Sequence, residues 1–177
     1  VVLAQQGRRV LLVDGDLRRG ILHQFFNNTP RTPGLSSILI GDATLEQCVV
    51  KIEMKDASTI FFIPTGPLPP NPSELFSASR MDRFIQDVRA NFDVVLFDSP
   101  PLNLVTDAGI LGTKADGVVL IARANRTDRM GMAYAADQLR GIRATLLGTV
   151  LNDFDVHHGY GYGGFSYWYG YGAKSGY

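Results

Sequence analysis

The stretch Val10-Leu11-Leu12-Val13-Asp14-Gly15-Asp16-Leu17-Arg18-Arg19-Gly20 decides the fold. An unbroken aliphatic run with no polar alternate describes a strand buried on both faces. It opens at once into a loop carrying two carboxylates, two arginines and two glycines. The same order recurs at Val94-Val95-Leu96-Phe97-Asp98-Ser99-Pro100-Pro101, and further apolar runs lie at Ile60-Phe61-Phe62-Ile63, Val118-Val119-Leu120-Ile121 and Leu146 to Leu151. Helix-like stretches separate them. Such alternation implies right-handed crossovers and an α/β fold with a mainly parallel sheet flanked by helices on both faces.

Between the runs, Asn71-Pro72-Ser73-Glu74 reads as a helix start, with Asn71 as N-cap, Pro72 at the first helical position and Glu74 placed to reach back. The helix is expected to continue to about Ala90. Within it Met81, Phe84, Ile85 and Val88 form an apolar stripe at helical spacing. A second helix is expected after Thr127, ending near Gly141. Pro64, Pro67, Pro69, Pro70 and Pro72 stiffen the connection that precedes the first of these helices. Val1 to Gln6 reads as the last turns of a helix stopped by Gly7, so the chain is expected to be a fragment.

At 177 residues and 45% hydrophobic the chain suffices for one core, and its 17 basic and 17 acidic residues cancel. No global field draws it to nucleic acid, so any polyanion site is local. The single cysteine, Cys48, excludes an internal disulfide and is expected to be simply packed, in a reducing compartment. No apolar run reaches the roughly 18 to 20 residues that span a bilayer, which leads to the expectation of a soluble chain. After Asn152 the periodicity stops. The organisation expected is therefore a domain over 1–154 and a flexible Gly/Tyr-rich tail over 155–177.

Ligands of open parallel sheets bind beyond the carboxyl ends of the strands. Asp14, Asp16 and Asp98 stand there. Magnesium takes oxygen ligands in octahedral geometry, often one or two carboxylates with water and phosphate oxygens, which suits Asp16 and Asp98. An aliphatic strand ending in Asp is also the Walker B pattern, in which the acid holds a nucleotide's metal. A strand-terminal Asp is equally a common turn or cap residue; the pairing of two such strand ends is the more specific signal. Arg18 suits developing phosphate charge, or else forms a solvated surface pair with Arg19. His157 and His158, adjacent and without further ligands, read as linker residues.

Leu11 to Gly20 resembles the Walker A′ motif of the bacterial tyrosine kinases associated with polysaccharide co-polymerases, and Val94 to Pro101 resembles their Walker B motif. Gly34 to Gly41, Pro69 to Leu75 and the C-terminal tyrosine cluster are similar to further segments of that family. The resemblance implies a P-loop NTPase-like fold and a tyrosine kinase using ATP and Mg2+. In it Asp98 and Asp16 would organise the metal nucleotide, and Asp14 would take the proton of a tyrosine hydroxyl. Asn152 would contact adenine, unless it is a plain strand-end cap. Tyr160, Tyr162, Tyr167, Tyr169, Tyr171 and Tyr177 would be phosphoacceptors; composition alone also allows a merely sticky Gly-aromatic segment.

The resemblance further implies a ring-shaped homo-oligomer, a membrane co-polymerase or activator region in the same or a separate chain, and a place at the cytoplasmic face of the bacterial inner membrane. Its role would be in exopolysaccharide or capsule polymerisation. One element departs from the pattern. The glycine-lysine loop G-x-x-x-x-G-K-[ST] that cradles phosphates occurs nowhere in these 177 residues. The expectation is therefore a fold whose first strand and P-loop are missing, and a chain that by itself binds ATP poorly. The rival expectations are a partitioning or cell-division-site ATPase without kinase activity, and a non-catalytic regulatory module.

Overall fold

The computed structural model describes residues 1–26 and 29–154. The tail expected over 155–177, with its six candidate acceptor tyrosines and His157 and His158, lies outside the described residues. Strands β1 (Val10–Asp14), β2 (Val50–Glu53), β3 (Thr59–Ile63) and β4 (Val94–Asp98) form one sheet in the order β2-β3-β1-β4. Strands β5 (Val118–Arg123) and β6 (Leu146–Asn152) form a parallel pair of their own. All five apolar runs are strands, and β1 pairs in parallel with both β3 and β4.

The strand not foreseen is β2, which pairs antiparallel with β3 at the sheet's edge. Its sequence Val50-Lys51-Ile52-Glu53 alternates, and so does its exposure, because an edge strand wets one face. The charged residues on its wet face also discourage edge-to-edge pairing.

Helices α1 (Val2–Gln5), α2 (Leu35–Ile40), α3 (Leu45–Cys48), α4 (Pro72–Ser77), α5 (Ser79–Asn91), α6 (Asp107–Lys114) and α7 (Arg129–Gly141), with a short 3-10 helix at Leu22–Phe25, complete the described elements. Gly7 follows α1 with φ of +80°, the left-handed conformation that a glycine adopts freely at a helix end. The second helix foreseen is α7, started by Asp128, whose carboxylate accepts from the Gly131 amide.

The single helix expected from Asn71 to Ala90 is instead two. Ala78 takes an extended conformation, with φ −72° and ψ 153°, and separates α4 from α5. Ser77 turns its hydroxyl back to the Ser73 carbonyl at 3.0 Å, a local bond that competes with continuing the helix. Nor does Asn71 cap α4 with its side chain. The break frees the first turn of α4 to take its own direction, and Ser73 is then spent elsewhere.

The main core joins Leu11 and Val13 of β1, Leu17 of the acidic loop, Leu35 and Leu39 of α2, and Phe76, Met81, Phe84 and Val88 of α4 and α5. The stripe read from the sequence is thus the buried face of α5, with Ile85 packed at its margin. Burial of each such side chain contributes about 1.5–3 kcal/mol. Cys48 lies in the same core, and burial pushes its thiol up to about 11, so it is packed and unreactive at neutral pH. Because Leu17 is fully buried, the loop that carries Asp14, Asp16 and Arg18 is anchored in the core at its middle.

Among the described residues β4 pairs only with β1, and β5 only with β6. Each therefore leaves one edge of backbone N–H and C=O groups open. A cavity of about 710 Å³ lies between, lined by Val95, Phe97, Val119, Ile121 and Leu147 among others. No helix among the described residues is long and apolar enough to cross a membrane.

Candidate active site

Parallel pairing sets Asp14 directly beside Asp98, as Cα partners at the ends of β1 and β4. Side chains opposite one another in register share a face of the sheet. The backbone joins the two loops as well, since the Gly15 amide donates to the Asp98 carbonyl at 2.9 Å. A Cβ on Gly15 would stand 2.5 Å from that carbonyl oxygen, so the close approach requires glycine.

Asp16 lies in the turn beyond. Its Oδ1 accepts from the amides of Arg18 at 3.0 Å and Arg19 at 2.9 Å, which fixes the loop and leaves Oδ2 unused by these bonds. Asp98 reaches solvent, yet loss of hydration around its carboxylate, and then the charges of Asp14 and Asp16, push its pKa up. Three carboxylates are thus close enough to repel, which is the electrostatic condition that a divalent cation relieves. Among the described residues no three potential ligands converge into a ready cage.

Asp14 has no exposed surface. Its Oδ2 accepts from the Leu22 amide at 3.1 Å, while Oδ1 and the nearby Thr65 hydroxyl have no hydrogen-bond partner among the described residues. Gly20 closes over both: a Cβ there would lie 1.7 Å from Thr65 Oγ1 and 2.8 Å from each Asp14 oxygen. Burial pushes the Asp14 carboxyl up, against the opposing Leu22 and Asp16 amides. In this arrangement Gly20 and Thr65 close off Oδ1.

The raised pKa has a stability consequence. Its favourable contribution is complete below the ordinary carboxylate range, near pH 3.9, and is lost as pH rises through the higher folded value. Asp14→Asn should therefore unfold at a higher temperature than the parent at pH 7, and the difference should shrink toward zero below the ordinary carboxylate range. Thermal unfolding followed by circular dichroism across that pH range checks it.

Arg18 does not stand free. Its Nε and Nη2 are engaged by Asp107, the fully buried first residue of α6, and among the described residues Nη1 has no hydrogen-bond partner. Asp107 and Ser73 were not singled out in the sequence. The only sign of Asp107 was its place after Thr106 at a helix start, which fits an ordinary first-turn acid. Asn152 ends β6 as the register partner of Arg123, exposed and in the second sheet, and no described contact links it to the carboxylates.

Comparison with known proteins gives a consistent set of likenesses. The AAA domain family matches residues 1–150. The tyrosine-protein kinase YwqD of Bacillus subtilis (strain 168) is 39% identical over 166 residues, covering 93% of this chain and 68% of that protein. The putative tyrosine-protein kinase EpsB of Ralstonia nicotianae is 40% identical over 175 residues, covering 99% of this chain but only 22% of that protein. Among solved structures, the BceF tyrosine kinase domain superposes with a TM-score of 0.74 at 37% identity, over 85% of this chain and 58% of that one. The septum site-determining protein MinD of Pyrococcus horikoshii, solved with Mg-ADP, shares the fold alone, with a TM-score of 0.66 at 22% identity over 84% of this chain and 59% of that one.

Proposed function

This chain belongs to the bacterial tyrosine-protein kinases, and from that premise we propose that it carries the acidic half of an ATP-dependent tyrosine autokinase site, whose acceptors are the tyrosines between 160 and 177. The observation that carries the proposal is the pairing of Asp14 with Asp98 at adjacent strand ends, with Asp16 in the loop that follows Asp14. ATP and Mg2+ are the general expectation for this fold.

Asp98 and Asp16 would hold the magnesium, one through an exposed carboxylate and the other through Oδ2. The metal would supply neutralisation of phosphate charge. Asp14 is the proton acceptor of the set. A phenol with a pKa of about 10 must lose its proton on transfer, and a carboxylate with raised proton affinity is the better base. Arg18 lies beside this set and completes it as a candidate catalytic group through Nη1. Asn152 is retained as the adenine-side residue on the family resemblance.

Residues 1–154 hold no glycine-lysine loop. The open edges of β4 and β5, and the cavity between them, support the reading that one further strand, with the phosphate loop at its end, belongs there. The chain alone is accordingly proposed to bind ATP poorly and not to turn over. On the same resemblance we place the protein at the cytoplasmic face of the inner membrane, in a ring-shaped homo-oligomer with a co-polymerase or activator region, where it regulates exopolysaccharide or capsule polymerisation. Nucleic acid has no part in this account.

Joining the chain to an upstream segment that carries the loop, incubating with Mg-ATP and mapping phosphotyrosine by mass spectrometry tests the proposal. Modification of residues between 160 and 177 is the expected result. Phosphate release without phosphotyrosine would favour a cell-division-site type ATPase, and neither activity would favour a regulatory module.

A further inference from the structure

A half-buried ion pair outside the carboxylate set ties down the loop on which that set depends. Asp107 has no exposed surface. Its Oδ2 accepts from Arg18 Nε at 2.6 Å, and its Oδ1 accepts from Arg18 Nη2 at 3.1 Å, the two-point geometry in which a guanidinium matches a carboxylate best. Ser73 Oγ donates to the same Oδ1 at 2.5 Å. Three segments remote in sequence, the loop after β1, the first turn of α4 and the start of α6, thus meet on one carboxylate.

A buried carboxylate is costly unless its oxygens are satisfied, and here both are. Burial pushes Asp107 up, but the Arg18 and Ser73 hydrogen bonds and the Arg18 charge outweigh it and hold the carboxyl below the ordinary range. It is therefore anionic at neutral pH. Arg18 is gripped twice: its guanidinium by Asp107, and its backbone amide by Asp16 Oδ1. Wherever the guanidinium is held, the turn that orients the Asp16 carboxylate is held with it.

We propose that Asp107 and Ser73 are positioning residues: by fixing the Arg18 guanidinium they fix the turn at Asp16–Arg19, and so keep the Asp16 carboxylate oriented beside Asp98. The effect on turnover rests on the tyrosine kinase reading; the mechanical link does not.

Amide hydrogen exchange on the full chain tests that link directly, comparing the parent with Asp107→Asn and with Ser73→Ala, which leaves the ion pair itself intact. The Arg18 and Arg19 amides should exchange about tenfold faster in Asp107→Asn, as loss of one net hydrogen bond delivers, and by a smaller factor in Ser73→Ala. Protection in β1 and β4 should be unchanged in both. Unchanged exchange at Arg18 and Arg19, or acceleration spread equally over β1 and β4, overturns the proposal.

In the protein joined to its phosphate loop, the Mg2+ concentration giving half-maximal phosphotyrosine formation should rise about 10- to 100-fold in Asp107→Asn, with the rate recovered at saturating Mg2+. A rate loss that Mg2+ does not restore contradicts positioning. If the parent makes no phosphotyrosine, the kinase reading fails while the exchange result still decides the role of Asp107 and Ser73.

Discussion

Replacing Asp98 by alanine should lower phosphotyrosine formation by about 10²- to 10³-fold, the loss that follows removal of one preorganised group stabilising a transferring phosphoryl. The same substitution should make the metal-free fold more stable at neutral pH. Asp98 is pushed up first by lost hydration and then by Asp14 and Asp16, so its ionised form weakens the fold. The contribution of its protonated form is complete below the ordinary carboxylate range and disappears as pH rises through the raised value. A residue kept for folding would behave oppositely, losing stability and activity together. Thermal unfolding without Mg2+ and an initial-rate assay with Mg-ATP, run on the same preparation, separate the two.

The largest effect on folding is expected at Phe84. It is 2% exposed on the inner face of α5 and meets the Phe97 ring edge-on, with centroids 6.3 Å apart and planes at 76°. Phe84→Ala should cost about 3–5 kcal/mol, because the void lies between α5 and the sheet where neither side collapses easily. Against a typical total of about 5–15 kcal/mol that is a large share. Urea unfolding of the parent, Phe84→Ala and Phe84→Leu measures it, and the leucine variant should recover most of the loss. Phe97 immediately precedes Asp98, so the alanine variant should also loosen the strand end that carries the candidate metal ligand.

The sequence made the strands legible through their apolar runs, but the expected burial on both faces holds only for β1 and β3. Strands β4, β5 and β6 leave apolar side chains, Leu96, Val119, Ile121, Leu147 and Leu151 among them, exposed along the open sheet edges. The sequence also made the buried face of α5 legible, through the spacing of Met81, Phe84 and Val88. What it hid were features set by partners distant in the chain. Val50 to Glu53 alternates too briefly to stand out, and it is a strand only because β3 offers an edge. The break at Ala78 leaves no mark in the hydrophobic period; it follows from Ser77 turning its hydroxyl to a local bond and from Asp107 drawing in Ser73.

The candidate site divides along the same line. Asp14, Asp16 and Asp98 were legible because each stands just beyond or at the end of an aliphatic run, where a parallel sheet presents its ligands. The depth of Asp14 was not, because it depends on Gly20 folding back over it and on Thr65 closing in from another segment. Arg18 was legible as a cation in the loop, but its partner Asp107 is 89 positions away and could be found only through the fold.

The central claim, that Asp16 and Asp98 receive the metal of Mg-ATP, is most directly tested by 13C NMR of the aspartate carboxyl carbons in the chain joined to its phosphate loop, titrated with Mg2+ in the presence of a non-hydrolysable ATP analogue. The account predicts saturable shifts of the Asp16 and Asp98 signals over one common binding curve, absent when the nucleotide is added without Mg2+. Saturation of the nucleotide site with both carboxyl signals unmoved would contradict it.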